Sequence, residues 1–180
     1  PGSGVDLSKF SATSFSSPNT FQFLVLARLI VEKGIVEFAQ AAAIVKESFP
    51  EAKFLIVGGL DVNHARAIDP AALKKWIDNG WVEYLSHRDD IAELINQSEV
   101  VVLPSYREGT PRSLLEGAAC GRPLITTDVP GCREVVRDGE NGYLCEVKSA
   151  ASLASKCMAY LKLALEKKLA MGKASRRLVE

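Results

Sequence analysis

The chain has 180 residues, of which 47% are hydrophobic and 24% are charged, a profile typical of one globular domain with its own core. Its 22 basic residues balance 22 acidic residues, and the net charge of zero excludes a global attraction to nucleic acid or to an anionic membrane. Because no signal peptide and no apolar run of roughly 18 residues is found, we expect a soluble, cytoplasmic domain.

The first 19 residues are rich in Gly, Ser and Pro and have no hydrophobic periodicity. We interpret residues 1–19 as an interdomain linker. From residue 20 to residue 165, short apolar runs alternate with helical patterns, which predicts a single folded domain. Residues 166–180 alternate basic and apolar positions at helical spacing, and we expect a solvated surface helix that is cut off at its end.

Six apolar runs predict strands, several of them apolar on successive residues, as expected for strands buried on both faces. These strands are Phe21–Ala27, Lys53–Gly58, Val82–Leu85, Val100–Pro104, Pro123–Thr127 and Gly142–Val147. Five helices are predicted between and after them: Ile35–Ser48, Pro70–Asn79, Asp89–Gln97, Arg112–Cys120 and Ala150–Leu165. The alternation predicts a Rossmann-like α/β fold, a doubly wound parallel sheet with helices on both faces. Ligands of such sheets bind beyond the carboxyl ends of the strands.

Local signals mark the start of three helices. Pro70 suits a first-turn position, and Ser149 can cap the helix after it. Asp89 and Asp90 are expected to cap the helix that begins there.

Four cysteines, Cys120, Cys132, Cys145 and Cys157, occur singly along the chain. Without a CxxC pair or a histidine cluster they do not predict a zinc site, so we expect no metal. Reduced, mostly buried thiols are favoured over disulfides.

The segment Glu108–Glu116 directly follows a predicted strand. Gly109 permits close backbone approach and Pro111 suits the first turn of a helix, whose free N–H groups attract anions such as a diphosphate. Carboxylates accept hydrogen bonds from paired hydroxyls, so Glu108 and Glu116 suggest sugar and ribose recognition. On spacing alone, it is equally possible that Glu108 caps the helix and Glu116 is a surface charge.

A second cluster is formed by Arg28 at the end of the first strand and by Lys33 before the next helix. Two cations at a strand end can clamp phosphate oxygens. Alternatively they are ordinary loop charges, and Glu32 pairs with one of them.

Other motifs argue against competing classes of enzyme. Gly58 and Gly59 follow the second strand but form no dinucleotide fingerprint, and no phosphate-binding kinase loop is found. His64 and His87 stand alone, and His87 is interpreted as a loop residue near the ligand edge. Ser105 lacks the nucleophile elbow of a hydrolase.

Together, these pieces resemble the donor-binding, C-terminal domain of retaining family 4 glycosyltransferases of the GT-B fold. The resemblance rests on the segments Leu26–Gly34, Phe54–Gly59, Val101–Val136 and Asp138–Leu144, and covers most of the chain. The family's pattern of a Glu, seven residues and another Glu is met by Glu108 and Glu116. Ser86 departs from the family, which often has Gly at this position.

The resemblance implies roles for individual residues. Arg28 and Lys33 would hold the donor diphosphate and, with Glu108 on the sugar hydroxyls, form the catalytic set, while Glu116 takes the ribose hydroxyls. The remaining donor-binding residues that it implies are Gly58, Tyr84, Leu85, Gly109, Thr110, Pro111, Arg112, Ser113 and Leu115.

The resemblance also implies an activity. The nearest members transfer a hexose or N-acetylhexosamine from a UDP-sugar to a polyprenyl-diphosphate-linked acceptor in capsule or O-antigen synthesis, without a metal, at the inner face of the cell membrane. The acceptor would bind mainly to an N-terminal domain that this chain lacks. We therefore expect the chain to bind nucleotide weakly and to transfer no sugar alone, and we expect no nucleic-acid partner.

Two other classes share this architecture. A sugar-nucleotide epimerase or phosphorylase has the same fold, although a phosphorylase should show a cofactor lysine that is not found. A scaffold that lost catalysis is disfavoured by intact Arg28, Lys33, Glu108 and Glu116.

Overall fold

The computed structural model describes residues 4–13 and 21–180 and contains one six-stranded parallel sheet. Its strands are β1 (Gln22–Leu26), β2 (Lys53–Val57), β3 (Glu83–Tyr84), β4 (Val100–Leu103), β5 (Leu124–Thr127) and β6 (Gly142–Cys145). Their order across the sheet is β3-β2-β1-β4-β5-β6, so the chain reverses its direction of travel between β1 and β4. The predicted doubly wound α/β sheet is confirmed, and its topological switch point, the favoured ligand position, lies between these two strands.

Seven helices connect the described strands or follow them. They are α1 (Ile35–Ser48), α2 (Pro70–Asp78), α3 (Ile91–Gln97), α4 (Arg112–Ala119), α5 (Pro130–Arg133), α6 (Ala150–Leu161) and α7 (Leu165–Val179), and a 3-10 turn spans Val31–Lys33. The five predicted helices are found with small shifts at their ends. The short α5 was not predicted, because four residues that include a proline and a glycine carry no hydrophobic period.

The core consists of two apolar layers, one on each face of the sheet. Along β1, Phe23 and Val25 point into the layer that contains α1, α2 and α6, whereas Leu24 points into the layer that contains α3 and α4. β4 alternates in the same way, with all four of its residues buried. This two-sided burial explains why the strands are apolar on successive residues.

The predicted helix starts are partly confirmed. Pro70 lies in the first turn of α2, and the Ser149 hydroxyl accepts the N–H of Ser152 at the start of α6. The capping prediction for Asp89 and Asp90 is wrong: Asp90 occupies the N-cap position of α3, but its carboxylate accepts two hydrogen bonds from Arg88 instead.

The C-terminal helix is not the solvated helix that the sequence suggested. α7 packs along α4 and buries Lys168, Met171 and Ser175 on its inner face, while Lys167 and Lys173 stay exposed. A basic residue can therefore mark a buried position, which a helical hydrophobicity pattern does not reveal.

The N-terminal stretch lies partly outside the described residues. Within it, the Asp6 carboxylate accepts hydrogen bonds from Ser8 and Lys9 and forms a tight turn, and Phe10 is buried against the α4 layer. This part of the predicted linker therefore packs onto the domain.

The four cysteines are free and buried, as expected. Within residues 4–13 and 21–180, no group of His, Cys, Asp or Glu side chains has a metal-binding arrangement. None of the helices in the same two ranges combines the length and apolar character that crossing a bilayer requires.

Candidate functional site

A cleft of about 450 Å³ opens at the carboxyl ends of the strands. Its floor is formed by the ends of β1, β2 and β4 (Leu26, Val57 and Leu103), and its walls by the loop after β4 and the first turn of α4. The cleft therefore lies at the topological switch point, where doubly wound sheets bind ligands.

Lys33 and Glu108 both line this cleft and form an ion pair there. The Lys33 ammonium donates to the Glu108 carboxylate at 2.6 Å, and the two side chains are 25% and 11% exposed. Gly34 makes the approach possible: its φ is +70°, and a Cβ there would lie 2.0 Å from the carbonyl oxygen of Pro104. The sequence alternative in which Glu108 caps α4 is wrong, because Pro111 is the N-cap residue, no side chain caps the helix, and the Glu108 carboxylate pairs with Lys33.

The amino terminus of α4 points its free backbone groups toward the same space. Pro111 is the N-cap residue, one position before the predicted first turn, and no side chain caps the helix. The first N–H groups of a helix have no intrahelical partner, and α4 has no acidic residue in its first turn. With Arg112 and Ser113 lining the cleft, this end of the helix suits an anionic group.

Glu116 lies one turn further along α4 and is partly buried in the cleft wall. Burial raises the pKa of this carboxyl above its ordinary value, and the charges of Arg112 and Lys9 oppose the rise. Glu116 and Arg112 also line a smaller neighbouring cleft of about 210 Å³, formed with Leu115 and the N-terminal turn. Glu116 is therefore half-buried between two clefts and is not a fully exposed surface charge.

The structure brings most of the predicted site residues together. The predicted residues that line the cleft are Lys33, Gly58, Glu108, Thr110, Pro111, Arg112, Ser113 and Glu116. Five other predicted residues, Arg28, Tyr84, Leu85, Gly109 and Leu115, do not line it. Their proposed contacts with a ligand stay predictions, as do the roles of the residues that line it.

Two of these five have structural surroundings of interest. Arg28 is exposed and directly follows Ala27, which lines the cleft, so its long side chain starts at the rim. The Tyr84 hydroxyl donates to the carbonyl of Gly58 at 2.9 Å and fixes the backbone at the end of β2.

Glu32 pairs with Arg66 at 2.6 Å, so the suggested pairing of Glu32 with Arg28 or Lys33 is wrong.

The segment between β3 and α3 and the first residue of α3 contribute residues that the sequence did not single out as site residues. His87 and Arg88 of the loop and Ile91 of α3 line the cleft. The position of His87 and Arg88 after a strand end was the available signal. Ser86 has a φ of +59°, a conformation that glycine adopts without strain and that favours Gly at this position.

The geometry defines what the cleft can bind. One ammonium group and a free helix amino terminus attract an anion, while two carboxylates within the same cleft accept hydrogen bonds from hydroxyl groups. A ligand that carries both phosphate and sugar hydroxyls satisfies all of these groups.

Comparison with protein families matches residues 8–178 to the family described as "Glycosyl transferases group 1". Among curated relatives, the chain is 37% identical over 133 residues to N,N'-diacetylbacillosaminyl-diphospho-undecaprenol alpha-1,3-N-acetylgalactosaminyltransferase of Campylobacter jejuni. It is 30% identical over 165 residues to UDP-Gal:alpha-D-GlcNAc-diphosphoundecaprenol alpha-1,3-galactosyltransferase of Escherichia coli. The matches cover 74% and 83% of this chain, but the chain spans only 33% and 41% of those relatives.

Among solved structures, the chain resembles the pneumococcal O-GlcNAc transferase GtfA, which was crystallised in complex with UDP and GlcNAc. The TM-score is 0.78 at 28% identity, over 94% of this chain and 34% of that one. Since the family match extends over nearly the whole chain, this protein belongs to the group 1 glycosyltransferases, which have the GT-B fold.

Proposed function

We propose that this chain is the donor-binding half of a retaining glycosyltransferase. The full-length enzyme would transfer a hexose or N-acetylhexosamine from a UDP-sugar to a polyprenyl-diphosphate-linked acceptor during the synthesis of a surface polysaccharide. The observation that carries this proposal is the single cleft in which Lys33, Glu108, Glu116 and the free end of α4 meet. The two curated relatives, whose names include diphospho-undecaprenol, support the class of acceptor.

In this proposal each group has a separate task. Lys33, Arg28 and the α4 N–H groups bind the diphosphate, Glu108 binds sugar hydroxyls, and Glu116 binds the ribose. The acceptor hydroxyl oxygen forms its new bond to the anomeric carbon on the face that UDP leaves, and its proton passes to the departing diphosphate. Both electrons of the broken bond between the anomeric carbon and the phosphate oxygen remain on UDP. Positive groups placed at that oxygen stabilise the developing charge more than they stabilise the ground state, which accelerates the reaction.

The proposal extends to the cofactor and the location. Because Lys33 and the helix end supply the positive charge, the reaction is proposed to need no metal ion. The full-length enzyme is proposed to work in the cytoplasm, at the inner face of the membrane that holds its lipid-linked acceptor. The acceptor is proposed to bind mainly to a second domain.

Calorimetric titration of the 180-residue chain tests the donor site. We expect UDP to bind at least about tenfold more tightly than uridine, because the diphosphate makes the charged contacts. Arg28→Ala should weaken UDP binding and leave uridine binding unchanged, and Glu116→Ala should weaken both. GDP and ADP, tested alongside, identify the preferred base.

A matched control is Glu47→Ala, which removes an exposed carboxylate near the end of α1 that does not line the cleft. It should bind UDP like the unmodified chain. Equal affinity for UDP and uridine would discredit the diphosphate site, and with it the transferase proposal.

A further inference from the structure

The loop after β4, residues 104–109, carries Glu108 and is held by three links against the 3-10 turn Val31–Lys33 and the start of α1. The Tyr106 N–H donates to the carbonyl of Glu32 at 2.9 Å, and the Lys33 ammonium meets Glu108 at 2.6 Å. The third link joins side chains: the Tyr106 hydroxyl donates to the Glu37 carboxylate at 2.7 Å. Two of the three links therefore involve Tyr106.

The Tyr106–Glu37 link is strong because Glu37 is buried. Only 9% of this residue is exposed, and within the described residues its second carboxylate oxygen has no hydrogen-bond partner. Among residues 4–13 and 21–180, the Tyr106 hydroxyl is therefore the donor that this carboxylate accepts from, and hydrogen bonds to charged groups are stronger than neutral ones. Burial and Glu37 raise the pKa of Tyr106 to about 12, so the hydroxyl remains a donor at neutral pH.

The remaining sides of the loop are also confined. The Lys148 ammonium, on the segment after β6, lies 4.9 Å from the centre of the Tyr106 ring. The Thr127 hydroxyl of β5 donates to the carbonyl of Ser105. Gly131 of α5 approaches the end of the loop so closely that a Cβ at this position would lie 1.7 Å from the carbonyl oxygen of Gly109.

In the proposed function, donor binding would weaken one of the three links and leave the other two in place. If Lys33 turns to the diphosphate and Glu108 to the sugar hydroxyls, as in the proposed function, their mutual ion pair is weakened. The two links through Tyr106 touch no part of the cleft lining and are retained. They would then hold Glu108 at the distance from Lys33 that a sugar diphosphate requires, which is the preorganisation that binding sites depend on.

We infer that Tyr106 is a positioning residue for Glu108: its hydrogen bond to Glu37 keeps the Glu108 loop in place when the Lys33–Glu108 pair opens around a UDP-sugar. This inference rests on the proposed function. It predicts a loss that is confined to the sugar part of the donor, because the diphosphate and ribose contacts come from other elements.

The test compares UDP with UDP-sugars by calorimetric titration. UDP-glucose, UDP-galactose and their two N-acetylhexosamine counterparts are titrated first into the unmodified chain, and the tightest of them is then used with each variant. Tyr106→Phe should weaken that UDP-sugar about tenfold, the size expected for one hydrogen bond to a charged group, and change UDP affinity less than about twofold.

Two further variants separate positioning from a general structural effect. Glu37→Leu removes the acceptor of the Tyr106 hydroxyl and should weaken binding of that UDP-sugar about as much as Tyr106→Phe does, again with little change in UDP affinity. Tyr143→Phe is the matched control, because Tyr143 is also half-buried beneath a lysine, Lys156, but lies in β6 outside the cleft lining. It should bind both ligands like the unmodified chain.

Each outcome decides the inference. If UDP binds and Tyr106→Phe leaves the UDP-sugar affinity unchanged, or weakens UDP equally, the inference is overturned while the proposed function stands. It is also overturned if no sugar adds affinity over UDP, because Glu108 would then not face the sugar. If Tyr106→Phe does not fold, Glu37→Leu decides, and a UDP-sugar affinity within about twofold of the unmodified chain overturns the inference. Absence of UDP binding to the unmodified chain removes the proposed function and the inference together.

Discussion

Glu116 is placed where a carboxylate is costly to keep charged. It lies in the wall between two clefts, and burial raises its pKa, with partial compensation from Arg112 and Lys9. A carboxyl whose pKa is higher in the folded chain than in the unfolded chain binds its proton more tightly when folded. The stability that this proton contributes is present below the ordinary value of 4.5 and is lost as the pH rises through the folded pKa.

This sign leads to a prediction for Glu116→Gln. At about pH 7.5 the neutral amide removes the cost of burying a charge, so we expect the free energy of unfolding to rise by up to about 1 kcal/mol. The gain is small because solvent still reaches part of this side chain. The same variant should bind UDP more weakly. Thermal unfolding followed by circular dichroism measures the first effect, and titration measures the second.

The pH series provides the control for Glu116→Gln. Near pH 4 the carboxyl of the parent chain is largely protonated in the folded state, and the stability difference should shrink toward zero. Two results would contradict this explanation: a variant that is less stable than its parent at neutral pH, or a stability difference that is the same at both pH values. Either result would show that burial does not raise the pKa of Glu116.

At the scale of elements, the sequence predicted the strands and helices from hydrophobic periodicity, and the position of the cleft from the strand ends. The six strands follow from runs such as Val100–Leu103, in which every residue is buried. Lys33 and Glu108 could be assigned to one cleft because both follow strands that are adjacent at the switch point. Their direct ion pair could not be predicted, since it depends on the left-handed Gly34 turn and on how far the loop folds back.

The C-terminal helix shows why other features were missed. Lys168 of α7 is buried with its ammonium 3.4 Å from the Glu99 carboxylate and near the rings of Phe21 and Tyr160. Glu99 lies about 70 positions away along the chain and Phe21 about 150, so no local pattern identifies Lys168 as a buried residue. A pattern of charges at helical spacing indicated a solvated face, and the tertiary ion pair overrides that indication.

Lys168 and Lys167 form a natural pair of variants on this helix. Lys168→Met removes the ammonium group that pairs with the Glu99 carboxylate, which is 3% exposed, and should lower the free energy of unfolding by about 3 kcal/mol. Lys167→Met alters an exposed neighbour and should change it by less than about 0.5 kcal/mol. Urea denaturation measures both.

The double variant Lys168→Met with Glu99→Gln provides a further check. Because it removes the unpaired charge as well, it should be more stable than Lys168→Met alone. Similar losses for Lys167→Met and Lys168→Met would mean that the buried pair contributes nothing to the docking of α7.

On the scale of the whole molecule, the four thiols report on both layers of the core. Cys145 and Cys157 belong to the layer with α1, α2 and α6, whereas Cys120 and Cys132 belong to the layer with α3 and α4. Burial raises the pKa of Cys120 to about 11 and that of Cys145 to about 12, and it raises the other two as well. Since the thiolate is the reactive form, the folded chain should resist alkylation until it opens.

The cleft is formed by strand ends and by α4, and the apolar face of α4 lies in the layer that contains α3. Because the same elements form the cleft and the core, ligand binding and opening of the core are linked. If the domain unfolds as one cooperative unit, all four thiols should be alkylated at one common rate. UDP at about 100 times its Kd should then slow that rate by about 100-fold, because only the folded chain binds it. Iodoacetamide labelling followed by mass spectrometry resolves each cysteine. Faster labelling of Cys120 and Cys132 than of Cys145 and Cys157 would instead show that the α4 layer, which carries Glu116, opens separately from the rest of the core.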